Sequence, residues 1–90
     1  MTYYKMLKAG IAISIEAGDY NKGFDPAIFW NDAEQDKVMV FAPEIGIFEY
    51  PKNRPINYHI ERMIKEKFIV TFNPDNNYVG EFIKKHTKRF

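Results

Sequence analysis

Residues 27–50, AIFWNDAEQDKVMVFAPEIGIFEY, decide the fold of this chain. The stretch contains three short apolar runs, Ala27–Trp30, Val38–Ala42 and Ile45–Tyr50. A polar segment, NDAEQD, separates the first two runs, and a Pro-Glu pair separates the last two. Short apolar runs bounded by turn-forming residues are typical of β-strands. The stretch therefore predicts a three-stranded antiparallel meander.

The first of these runs also allows a helix. Asp25 is a good N-cap residue and Pro26 suits the first helical position, so a helix over 26–34 would replace the first strand of the meander. The aromatic and β-branched residues of AIFW favour the strand, whereas NDAEQ favours the helix. We prefer the strand, and the alternative stays open at this point.

The remaining strands lie outside this stretch. Residues 10–17 alternate between Ile and smaller or polar residues, which is the signal of a half-buried strand. Residues 67–72, KFIVTF, predict another strand. Residues 2–8, TYYKMLK, allow a strand or the first turns of a helix, interrupted at Ala9-Gly10, and we prefer the strand. The sheet accordingly has four to six strands.

Two helices complete the fold. In residues 57–67 the apolar residues recur at helical spacing, with Ile60, Met63 and Ile64 on one stripe. In residues 76–88, Val79 and Phe82 begin a second stripe. We predict a single α+β domain over residues 1–90, with both helices packed on one face of the antiparallel sheet.

Composition excludes several classes of function. The net charge of +1 is too small for electrostatics alone to drive the chain onto nucleic acid or an acidic membrane. The absence of cysteine excludes disulfides, thiolate catalysis and cysteine-ligated zinc, and it fits a cytoplasmic protein. No apolar run reaches the roughly 20 residues of a membrane span.

Aromatic residues make up 17% of the chain, and they suggest a partner surface. Two short helices can cover only one face of the sheet, yet the middle strands are apolar on both sides. A large apolar patch and its aromatic residues are typical of interfaces. We therefore expect a protein partner or a homodimer to bind the second face, through Phe29, Trp30, Met39, Phe41, Phe48 and Tyr50. The alternative, which stays open here, is that the sheet curls into a small barrel or that a loop or the N-terminal segment covers this face.

Single-stranded nucleic acid is the alternative partner. The last helix ends in a basic group, Lys84, Lys85, Lys88 and Arg89, and aromatic residues on an open sheet are stacking platforms for bases. Against this alternative, Asp32, Glu34, Asp36 and Glu44 crowd the loops of the meander and would repel phosphate.

Signatures of catalysis or of a cofactor are not found. Ser14 is the only serine and stands outside a nucleophile motif, and the five glycines are too scattered for a phosphate loop. His59 and His86 lack the spacing of a metal site and are interpreted as helix-packing residues. The sequence therefore predicts a small non-enzymatic binding protein without cofactor or metal, of the type that phages and mobile elements encode to inhibit or redirect a host enzyme by occlusion.

Overall fold

The fold was analysed on a computed structural model, which describes residues 2–87. Three helices and five strands follow one another along the chain. Their bounds are α1 Tyr3–Lys8, β1 Ala12–Glu16, β2 Ala27–Asp32, β3 Lys37–Ala42, β4 Gly46–Glu49, α2 Ile56–Lys65, β5 Ile69–Asn73 and α3 Asn77–His86.

The five strands form one antiparallel sheet in the order β4-β3-β2-β1-β5. The predicted α+β fold is confirmed, and so is the meander, since β2, β3 and β4 are neighbours in sequence order. Residues 27–32 are a strand, which decides against the helical alternative. Burial of the aromatic side chains of residues 27–32 in the sheet stabilises the strand more than an N-cap at Asp25 would stabilise a helix.

The first face of the sheet is formed by Ile13, Phe29, Val40 and Phe48, which the strand register places on one side. Helices α1 and α2 cover it. Leu7 of α1 is completely buried there, and Ile56, Ile60 and Met63 of α2 join the same core cluster. This confirms Ile60 and Met63 of the apolar stripe predicted for the helix at 57–67, whereas Ile64 is 43% exposed and lies outside the core.

The second face is formed by Ala12, Ser14, Ile28, Phe41 and Ile47, and helix α3 lies across part of it. The prediction that both helices pack on one face is therefore wrong for α3. The reason is physical: residues on both sides of the inner strands are apolar, so stability requires that both faces be covered.

Phe82 is the centre of the contact between α3 and the second face. It is buried against Ala12, Ile28 and Phe41, and its ring meets that of Phe41 at 6.4 Å in an edge-on arrangement. The hydroxyl of Tyr78 donates a hydrogen bond of 3.1 Å to Oγ of Ser14. Ser14 is buried, so this bond supplies a polar partner inside the core. Helix α3 thus supplies both apolar cover and a polar partner.

Residues 3–8 form a helix, so the strand predicted at 2–8 is wrong. Oγ1 of Thr2 accepts a hydrogen bond from the backbone N–H of Lys5 and caps the helix. At the other end Gly10 adopts a φ of 94°, and the N–H groups of Gly10 and Ile11 donate to the carbonyls of Leu7 and Met6. This is a Schellman motif, so Ala9-Gly10 marks a helix end and not a strand end.

Candidate binding cleft

An open cleft of about 520 Å³ lies on the first face, at the part of the sheet that α1 and α2 leave uncovered. Its floor consists of the side chains of Phe29, Val40 and Phe48, and Tyr50 and His59 form one side. We call this set the first-face cleft. The ring of Phe29 lies 5.7 Å from the rings of both Tyr50 and His59, so the aromatic side is a packed group.

Two titratable side chains in the first-face cleft are held in their neutral forms by their surroundings. Burial, reinforced by the charge of Arg62, lowers the pKa of His59 below its ordinary value. Burial also raises the pKa of Tyr50, an effect that the Arg54 guanidinium opposes. At neutral pH the cleft therefore presents an uncharged imidazole and an uncharged phenol beside its apolar floor, while Asp25, Glu44 and Arg54 contribute charged groups to the lining.

The opposite side of the cleft is formed by the loop between β1 and β2, which contributes Gly23 and Phe24. Three contacts fix this loop to the end of α2. The side-chain amide of Asn21 donates a 3.0 Å hydrogen bond to the carbonyl of Glu66, and the rings of Phe24 and Phe68 meet edge-on at 4.5 Å.

The third contact is a close backbone approach at Gly18. A Cβ atom there would lie 2.6 Å from the carbonyl oxygen of Lys67, so the position requires glycine. The loop side of the cleft is therefore preorganised by the chain, which lowers the entropic cost of binding.

The six residues predicted to bind a partner divide between the two faces. Phe29, Phe48 and Tyr50 line the first-face cleft, whereas the register puts Trp30, Met39 and Phe41 on the second face. The expectation that Phe48 and Tyr50 lie beside Met39 and Phe41 is wrong, because Phe41 pairs with Ile47, one position earlier than Phe48.

The six residues also differ in how deeply they are buried. Phe29 and Phe41 are only 3% and 5% exposed, so both are core residues. Trp30 and Met39 are half-buried, as are Phe48 and Tyr50. The second face is therefore not the open aromatic surface that the sequence suggested, since α3 lies on part of it and buries Phe41. A cleft of about 530 Å³ beside Trp30 and Val79 remains open there, and the aromatic cleft lies on the first face.

The basic group considered for nucleic acid is only partly described. Lys84 and Lys85 are exposed in the last turn of α3. Lys88 and Arg89 lie outside the described residues. The aromatic residues nearest to α3, Trp30 and Phe41, pack beneath it, so they do not form an open stacking platform beside the lysines.

Two residues of the cleft, Ala42 and Phe24, were not singled out from the sequence. Ala42 continues the alternation of Val38 and Val40, so the two-residue period of a strand predicts that it lies on the first face. For Phe24 no such signal exists, because its place depends on Phe68, which is distant in sequence. His59 was interpreted as a residue of the helix surface or of the helix–sheet contact, and its ring contacts with Phe29 and Tyr50 place it in the helix–sheet contact.

Within residues 2–87 no three His, Asp or Glu side chains are grouped closely enough to hold a metal ion. No helix in the same part of the chain has the length and apolar character needed to cross a bilayer. Comparisons of the chain with protein-family models, with curated proteins and with solved structures find no match.

Proposed function

We propose that this chain is a small, non-enzymatic protein-binding module of the cytoplasm, which receives an apolar anchor side chain of its partner in the first-face cleft. The observation that carries the proposal is the cleft left open over β3 and β4, where the half-buried side chains of Phe48 and Tyr50 line a concave surface above the buried Phe29 and Val40. A volume of about 520 Å³ lies within the roughly 300–1,000 Å³ that is usual for binding pockets.

The rim of the cleft favours a protein over a small metabolite. Ile45 lines the cleft and is 74% exposed, so apolar surface continues outside the concave part. Pockets for metabolites enclose most of their ligand, whereas protein interfaces combine a central pocket for one anchor with a surrounding apolar and polar rim. Tyr50 and Arg54 supply residue types that are enriched at such interfaces.

Binding of this kind acts by occlusion. A binding module alters its partner by covering a surface or by bringing two proteins together. This supports the interpretation as an inhibitor or recruitment factor of the accessory type, acting on a larger enzyme. The affinity then depends on how well one buried anchor fills the cleft.

The proposal is tested by NMR titration with blocked amino acids as stand-ins for anchor side chains. N-acetyl amides of Phe, Leu and Trp are compared with those of Lys and Glu. We expect only the apolar amides to shift the backbone resonances of Phe48, Tyr50 and His59, with weak affinity because each is a fragment of an interface.

Ala42→Phe fills the cleft from its floor, and we expect it to remove these shifts. Ala33→Phe is the matched control, because Ala33 is exposed in the turn between β2 and β3 and does not line the cleft. Equal shifts with charged and apolar amides, or unchanged binding in Ala42→Phe, would contradict the proposal.

A further inference from the structure

The outer edge of β5 is an open strand edge. β5 pairs only with β1, and no other backbone group of residues 2–87 donates to or accepts from Ile69–Asn73. Ile69 is 54% exposed and Phe72 is 39% exposed. The strand contains neither a charged residue nor a proline, which are the usual features that keep an edge from pairing.

The other edge of the sheet differs. β4 has only four residues, it begins at a glycine with a φ of 97°, and it ends at the charged Glu49. Pro43 and Pro51 stand close to its two ends. β4 is therefore short and charged in the way that prevents edge-to-edge association, whereas β5 is longer and carries no charge, although Pro74 follows its last residue.

We propose that β5 pairs antiparallel with β5 of a second copy of this chain, which makes a two-fold symmetric dimer with a continuous ten-stranded sheet. Full overlap of the five residues is reached only when the two-fold axis passes through Thr71. Thr71 then lies opposite Thr71 of the second copy, and Val70 lies opposite the Phe72 of that copy. Such Thr–Thr and aromatic–aliphatic cross-strand pairs stabilise antiparallel sheets.

Charge supports the same register. Lys67 and Asp75 stand four positions before and four positions after Thr71, and both are exposed. Both residues lie just outside the strand, so antiparallel pairing about Thr71 places the Lys67 end of each copy at the Asp75 end of the other, with opposite charges near both ends of the apolar centre. A two-fold interface uses one surface patch twice, and this patch is complementary to itself.

The dimer is tested by light scattering coupled to size-exclusion chromatography over a wide concentration range. A five-residue strand pair buries less than the roughly 1,200 Å² that marks a stable interface, so we expect a concentration-dependent shift from the monomer mass to twice that mass. Thr71→Lys and Thr71→Glu each place like charges opposite one another at the axis and should leave only monomer.

An equimolar mixture of Thr71→Lys and Thr71→Glu should restore the dimer, as a heterodimer that native mass spectrometry identifies by mass. Ile47→Lys is the matched control, because Ile47 is an exposed second-face residue on the other edge strand, and it should dimerise like the wild type. Circular dichroism checks that each variant is folded. A wild type that stays monomeric, a Thr71→Lys variant that dimerises, or a mixture that stays monomeric would overturn the proposal.

Discussion

The two faces of the sheet are covered in different ways. On the first face, two helices contact the sheet, and an open cleft remains over β3 and β4. On the second face a single helix, α3, covers β1 and β2 and buries Phe41 of β3 as well. The number of helices on a face therefore does not determine which part of that face stays exposed. The position of the helices over the strands determines it.

The largest test of this comparison removes the anchor of α3. Phe82→Ala should lower the free energy of unfolding by about 3–5 kcal/mol, because it removes a buried ring and leaves a cavity between α3 and the second face. Urea unfolding followed by circular dichroism measures the change. A loss below 1 kcal/mol would mean that α3 does not cover this face.

A second test concerns the loop side of the first-face cleft. Gly18→Ala should cost about 1–3 kcal/mol, because the new Cβ meets the carbonyl oxygen of Lys67 at 2.6 Å and the backbone must move. Gly80→Ala is the matched control, since its Cβ would meet nothing within 4 Å and alanine favours the helix by up to ~1 kcal/mol. The two substitutions should therefore shift the urea midpoint in opposite directions.

A third test concerns the polar contact of the second face. Tyr78→Phe should destabilise the protein by about 1–2 kcal/mol, because it leaves the buried Oγ of Ser14 without its partner. Adding Ser14→Ala should recover part of this loss, since both polar groups are then gone. If the double variant is as unstable as the sum of the single variants, the two hydroxyls do not interact.

The smallest expected effect is the pH dependence contributed by His59 on the first face. Because burial lowers the pKa of His59 in the folded protein, the unfolded chain binds a proton first as the pH falls below its ordinary value of 6.5. Stability is therefore lost from about pH 6.5 downward until the folded protein also takes up the proton. The loss should be smaller in His59→Phe, as thermal unfolding between pH 7 and pH 5 would show.

Much of the fold was predictable because its signals are local. The meander follows from three apolar runs and their turns, and the stripe of α2 follows from residues three and four positions apart. The helix at 3–8 was misassigned because tyrosine favours strands, although Thr2 and Gly10 are suitable helix-cap residues at its two ends.

The cleft was less predictable, because it depends on how distant segments meet. The alternation within β3 predicts which residues share a face, but not which helix covers that face. The register of β4 against β3 is set by the turn that ends at Gly46. A shift of one residue would place Ile47 instead of Phe48 on the first face. The local sequence pattern does not predict the contact between Phe24 of the loop and Phe68.

The place of β1 in the strand order has a consequence for how the chain folds. β1 lies between β2, which follows soon after it in the chain, and β5, which is distant from it in the chain. Tyr78 and Ser14, which α3 brings together, are 64 positions apart. Strands β1 to β4 form from neighbouring segments, whereas the pairing of β5 and the docking of α3 close long loops of the chain. Contacts between distant residues slow folding, so we expect these two steps to occur late.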